Sequence, residues 1–380
     1  MDRPTPNVVL VTGVSGFLGG HLAARLAADP AIDRVLGVDT VPPPRDLLKR
    51  MGRAEFVRAD IRNPLIAKVI SSANVDTVVH ASLSASPASS GGRATMKEMN
   101  VIGTMQLLAA CQKATSVRRV VLKSTTAVYG SSSRDPAVFD EAIGAKDLPS
   151  GGYAKDAAEI EGYLRGFSRR RPDVTTTVLR FANFIGPRMD TVLSRYFALP
   201  VVPTVLGYDA RIQLLHEEDG LAVLERAATH ELPGVFNVAA HGVLMLSQAI
   251  RRAGKIAVPV PSGAVGPVSR VLRGARVVDF SPEQMRFLNF GRVVDLTRLI
   301  DDFGFVPRWT TTQAFDDFVR GKALAPVLGP ERIASLERGV LGLARSLRLR
   351  VGTAACGHAS RDGRAAAVVR RRATAWPRRG

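Results

Sequence analysis

Cysteine is almost absent: the 380 residues hold two, Cys111 and Cys356. They are too few for a disulfide framework and lie outside any metal-ligand spacing, so no metal is expected and a reducing cytoplasm fits. Aromatic residues are scarce at 6%, and the basic C-terminal stretch lacks the interleaved rings on which bases stack, which argues against a nucleic-acid module. No run approaches the roughly eighteen apolar residues of a membrane span. MDRPTPN leads straight into β-forming residues with no signal-peptide apolar region, again pointing to the cytoplasm. Acidic residues are outnumbered, 34 to 52, for a net charge of +18. From Glu331 to Gly380 twelve arginines face three carboxylates, which is half of that excess. The charge therefore describes an appended tail more than a folded core.

What is present is a 46% apolar chain long enough for two ordinary domains. It is organised around Asn7 to Gly20, NVVLVTGVSGFLGG. Val8 to Val11 is too short for a helix and too apolar for a surface strand, so it suits a parallel strand buried on both faces. Gly13, Gly16 and Gly19 then recur every third residue, allowing a tight turn, a close backbone approach to a pyrophosphate and close helix–strand packing. Phe17, Leu18, His21, Leu22 and Leu26 continue at helical spacing, so the helix N-terminus would aim its free N–H groups at phosphates. A second strand, Arg34 to Val38, ends in Asp39, where a carboxylate would accept hydrogen bonds from a ribose diol. No arginine follows until Arg45, which favours NAD over NADP.

Further along, Asp60 is placed near an adenine edge, and Asp76 to Ser82 reads as another buried strand ending in small residues. His80 there reads as a packed, hydrogen-bonded residue rather than an acid or base. A helix from about Arg93 to Ala114 is expected to carry Met99, Ile102, Met105, Leu108 and Ala109 inward, with Asn100 mid-helix. Arg119 to Gly130 reads as a fifth strand ending in hydroxyls. The alternation predicts a doubly wound parallel sheet with its site at the strands' carboxyl ends.

TGVSGFLG, Asp39, Asp60-Ile61, His80-Ala81-Ser82, Asn100, STTAVYG at 124–130 and LRFANFIGP at 179–187 together resemble the extended short-chain dehydrogenase/reductase family. Within it the chain is most similar to the NAD-dependent epimerase/dehydratase branch typified by UDP-glucose 4-epimerase, from about Val8 to Val319. The resemblance implies a Rossmann-type α/β fold, NAD as cofactor and a UDP-sugar substrate. It implies NAD contacts from Gly13, Ser15, Gly16, Phe17, Leu18, Gly19, Asp39, Asp60, Ile61, His80, Ala81, Ser82, Asn100, Ser124 and Tyr153. It implies substrate contacts from Thr125, Asn183 and Arg211, the last offset by one residue from the usual spacing. A homodimer through the fourth and fifth helices is expected by analogy.

The family's catalytic pair is Tyr-x-x-x-Lys, the lysine one helical turn after the tyrosine lowering its pKa. Here the stretch is Tyr153-Ala154-Lys155-Asp156-Ala157, with Glu161 eight residues after the tyrosine supporting the register; Ala157 stands where the lysine belongs. Lys155 is rotated about 200° from Tyr153 along a helix and leaves its face. Lys123, at the end of a buried strand and on the same face as Thr125, is the candidate replacement. The expected catalytic set is therefore Tyr153 as base, Thr125 as orienter of the reacting oxygen, and Lys123 as the compensating cation. Three activities stay open: a UDP-glucose 4-epimerase-like enzyme, a non-catalytic NAD-binding sensor or scaffold, and a dehydrogenase/reductase of another alcohol.

The expected division is a Rossmann domain over 1–175, a smaller substrate-binding region over 176–325 interleaved with the last sheet strands, an amphipathic helix over 326–350, and a disordered basic tail over 351–380. The helix carries Ile333, Leu336, Val340, Leu343 and Leu347 on one stripe. Such a face docks on its own core or a partner, or makes weak contact with an anionic membrane surface through 331–350.

Overall fold

The computed structural model describes residues 6–85, 91–143, 152–261 and 282–324. Fourteen strands are present among them: β1 Val8–Thr12, β2 Arg34–Asp39, β3 Glu55–Arg58, β4 Thr77–His80, β5 Arg119–Thr125, β6 Thr175–Phe181, β7 Asn183–Ile185, β8 Val201–Val205, β9 Arg211–Ile212, β10 Leu214–His216, β11 Gly234–Val238, β12 Leu244–Met245, β13 Ile256–Val260 and β14 Gly291–Arg292. Seven of them form one sheet in the order β11-β6-β5-β4-β1-β2-β3. Every pairing in it is parallel, with Thr12 opposite both Val38 and His80. The order reverses between β1 and β4, which opens a crevice at their carboxyl ends. Val9, Leu10 and Val11 are fully buried, as a strand covered on both faces requires.

The helices needed to place the site are α1 Phe17–Ala28, α2 Arg45–Arg50, α3 Ile66–Ser72, α4 Arg93–Lys97, α5 Gly103–Lys113, α6 Gly152–Arg170, α7 Val192–Ala198, α8 Glu217–Thr229 and α9 Leu246–Arg252. On α1, Leu18, Leu22, Ala23 and Leu26 face the sheet, and Arg25 ties the helix to α8 through Glu218 and Glu225. On α6 the buried face runs Ala154, Ala157, Ile160, Leu164, Phe167. A second core gathers Tyr196, Phe197, Leu214, Ile250, Phe315 and Phe318 beside the first.

Two expectations change. A π-turn, Glu98–Ile102, joins α4 to α5; its wider turn shifts the helical register, so Met96, Asn100, Thr104, Leu107 and Cys111 face inward with Leu108. Ile102 and Met105 are 41% and 38% exposed, and Ala109 is exposed beside them, not buried. The fifth strand ends at Thr125, because Thr126–Tyr129 turns into a 3-10 segment capped by Thr125 itself. The expected helix at 326–350 and tail at 351–380 lie outside the described residues.

Candidate active site

The glycine turn after β1 is built for close approach. Gly13 has φ of 76°, and a Cβ there would lie 2.7 Å from the Cβ of Ser82. A Cβ on Gly19 would fall on the Gly13 carbonyl oxygen, so only glycine lets α1 start this close to β1. Gly16 is the N-cap of α1 and supplies no side chain to it, leaving first-turn N–H groups for an anion. Asp39 ends β2 alongside this turn: its Oδ2 accepts the Ser15 N–H at 3.0 Å and its Oδ1 the Thr40 N–H at 2.7 Å. The Ser15 hydroxyl donates to the Val41 carbonyl. These features form a cradle whose shape and donor set fit a dinucleotide.

The other residues expected around the cofactor divide in two. Phe17 stacks on His21 and under the Arg188 guanidinium, while Leu18 reaches the cavity described below. Ala81 and Ser82 follow β4 against Gly13, and Ser82 Oγ lies 3.2 Å from Thr12 Oγ1. By contrast, the carboxylate of Asp60 is chelated by Arg62, which holds its pKa below the ordinary range. Ile61 is buried beneath α5 against Gly103. His80 is clamped between Thr12 and Thr104, 2.8 Å from each. Thr104 gives its own proton to the Asn100 carbonyl, so it accepts from Nε2–H and Nδ1 accepts from Thr12; this tautomer is assigned from the network. Burial, with the charge of Lys123, pushes His80 down to about 4. Asn100 binds the backbone of Ser84 with both ends of its amide and gives a further hydrogen bond to Asp156.

At the carboxyl ends of β5 and β6 lies a cavity of about 690 Å³ lined by Thr125, Tyr153, Lys123, Ser124 and Asn183, together with Arg195, Arg286 and Arg292. The Thr125 hydroxyl beside Tyr153 partly offsets the effect of burial; the net result holds the phenol up at about 12. Thr125 Oγ1 also accepts the Ala127 N–H. Ala157 is fully buried in the packed face of α6 and Lys155 is exposed. Asp156, fully buried, is gripped by both terminal nitrogens of Arg93 at 2.6 Å. Lys123 has no carboxylate partner among the described residues, and burial lowers it to about 8. Ser124 gives its proton to Glu161 at 2.5 Å. Glu161 pairs with Arg180, which donates to the hydroxyl of Tyr129.

Two residues change places relative to expectation. Arg211 is exposed on β9 and does not line the cavity; a two-residue strand pairs its backbone with β12 and β14 instead. Arg292, assigned no role from the sequence, reaches the cavity. Its guanidinium donates to the Gly130 carbonyl at 2.8 Å and to Ser131 Oγ at 3.0 Å and lies over the Phe287 ring. No carboxylate among the described residues forms an ion pair with it, and burial lowers it to about 10. The only sequence signal was the Gly291-Arg292 step, which is indistinguishable from a surface arginine.

The family model for the NAD dependent epimerase/dehydratase family matches residues 9–239. The chain belongs to this family. NAD is accordingly its cofactor, and the glycine cradle and Asp39 are the residues that fit it. An uncharacterized protein of Mycobacterium tuberculosis is 56% identical over 340 residues, covering 90% of each chain. Among solved structures, a Thermus thermophilus UDP-glucose 4-epimerase in complex with NAD aligns with a TM-score of 0.65 at 22% identity, covering 84% of this chain and 99% of that one. A UDP-glucose 4-epimerase with UDP-glucose from Thermotoga maritima aligns at 0.64 and 20% identity, covering 83% and 98%. These two likenesses concern the fold. Among the described residues no helix is long and apolar enough to cross a membrane.

Proposed function

We propose that this member of the family is a UDP-sugar epimerase, acting as UDP-glucose 4-epimerases do. The observation that carries the reading is Tyr153 beside the Thr125 hydroxyl, both lining the cavity that Leu18 of α1 also reaches. Bound NAD supplies the hydride acceptor and donor. Thr125 orients the sugar hydroxyl; Tyr153 Oη takes its proton and later gives it back. With a pKa near 12 only about one molecule in 100,000 is ionised at pH 7, so a positive charge must favour the phenolate. We assign that role to the Lys123 ammonium, which lines the same cavity, in place of the family's helix lysine, with burial still the dominant influence on the phenol. Arg292 and Arg286 hold the diphosphate, for which guanidinium is well suited, and Asn183 binds the sugar from β7.

A second reading, NAD binding without turnover, is favoured by one observation: Ala157 leaves no lysine on the face of Tyr153. The two separate in one assay. UDP-galactose with NAD yields UDP-glucose, followed by chromatography, and Tyr153→Phe loses the product at least about 1000-fold while still binding NAD. No conversion despite NAD binding sinks this substrate pair and favours the second reading. We further propose a cytoplasmic homodimer joined through α5 and α6.

A further inference from the structure

The helix Pro282–Phe290 comes from the substrate side of the chain and meets the start of α6. Three of its residues, Glu283, Arg286 and Phe287, share one face at helical spacing and line the cavity. The Glu283 carboxylate lies close enough to the backbone N–H of Ala154 for that N–H to favour its ionised form. That N–H belongs to the first turn of α6 and has no partner within the helix. Both carboxylate oxygens would also lie 2.6 Å from a Cβ on Gly152, whose φ of 66° independently calls for glycine. Arg93 donates to the Gly152 carbonyl at 2.9 Å. Tyr153 stands between these two gripped residues.

We propose that Glu283 is a positioning residue: it caps the helix that carries Tyr153 and links the substrate-side helix to the placement of the phenol. The idea rests on the reading of Tyr153 as the proton-transfer group. Arg286, one turn along the same helix, is exposed in the cavity, so an anionic group held there pulls on the element that fixes Tyr153. Substrate binding and tyrosine alignment are thereby coupled through about one helical turn. A cap supplied by an anion also complements the helix N-terminus electrostatically.

The test uses the full chain labelled with 3-fluorotyrosine, the Tyr153 resonance among the five tyrosines being assigned by its loss in Tyr153→Phe. Glu283→Ala is expected to move or split that resonance; Glu283→Gln, which keeps an acceptor oxygen, is expected to restore it. Addition of UDP should shift the wild-type Tyr153 signal and leave that of Glu283→Ala unmoved. In an active preparation Glu283→Ala lowers kcat about 10- to 100-fold with little change in KM, and Glu283→Gln recovers most of it. A Tyr153 resonance identical in wild type and a folded Glu283→Ala overturns the proposal. If no UDP-sugar is turned over by the wild type, the enzymatic reading fails by itself, and the fluorine signal still decides whether Glu283 places Tyr153.

Discussion

His80 and Lys123 lie on neighbouring strands, and the Lys123 charge adds to burial in disfavouring protonation of His80. His80 stays neutral in the fold because protonating Nδ1 would oppose the Thr12 hydroxyl with a donor. Its folded pKa, near 4, lies below the unfolded value near 6.5. The unfolded chain therefore takes up the proton first, and stability present above pH 6.5 is lost as pH falls towards 4. The loss is about 3 kcal/mol for this one group. Calorimetry from pH 7 to pH 4 should show it, and His80→Gln should flatten that limb. For Lys123 the folded pKa is likewise depressed, but here the charged form dominates at pH 7 and its desolvation is a cost. Lys123→Met should therefore raise stability by about 1–3 kcal/mol while lowering turnover at least tenfold. Turnover and NAD affinity that survive the substitution intact remove Lys123 from the mechanism.

At the scale of elements, the turn between β1 and α1 is the tightest contact near the cofactor cradle. Gly19→Ala places a methyl on the Gly13 carbonyl, a backbone atom that has no rotamer to yield. Stability is expected to fall by about 1–3 kcal/mol, and NAD affinity, read by titration calorimetry, at least tenfold. Gly166→Ala in α6 is the control: its Cβ meets nothing nearer than the Arg170 guanidinium at 3.5 Å, so stability should hold or rise by up to about 1 kcal/mol. The β1 strand, the glycine turn and Asp39 were legible in the sequence because each is a local pattern. The inward face of the helix after residue 93 was not. One π-turn at Glu98–Ile102 displaces every later residue from the straight-helix reading, and no residue in that turn announces it.

For the whole molecule, the same displacement has a consequence on the surface. Ile102 at the end of the π-turn, Met105 on α5 and Tyr163 on the neighbouring α6 stand 38–41% exposed, apolar surface where the proposed dimer would close. Sedimentation should give twice the 40.7 kDa chain mass, and the double substitution Ile102→Asp with Met105→Asp should give monomers that keep NAD binding. A wild type that sediments as a monomer at micromolar concentration ends that proposal.

The sequence by itself determined the parallel sheet, the nucleotide turn and the tyrosine with its missing lysine, because strand hydrophobicity, glycine spacing and helical spacing act between residues close in the chain. Tertiary structure decided which cations reach the cavity. Arg292 and Glu283 come from more than a hundred residues beyond Thr125 and Tyr153. They enter the site because the last helices fold back over the strand ends, whereas Arg211, held by short strands on either side, faces water. Charge placement depends on packing between distant segments, and no local spacing encodes it.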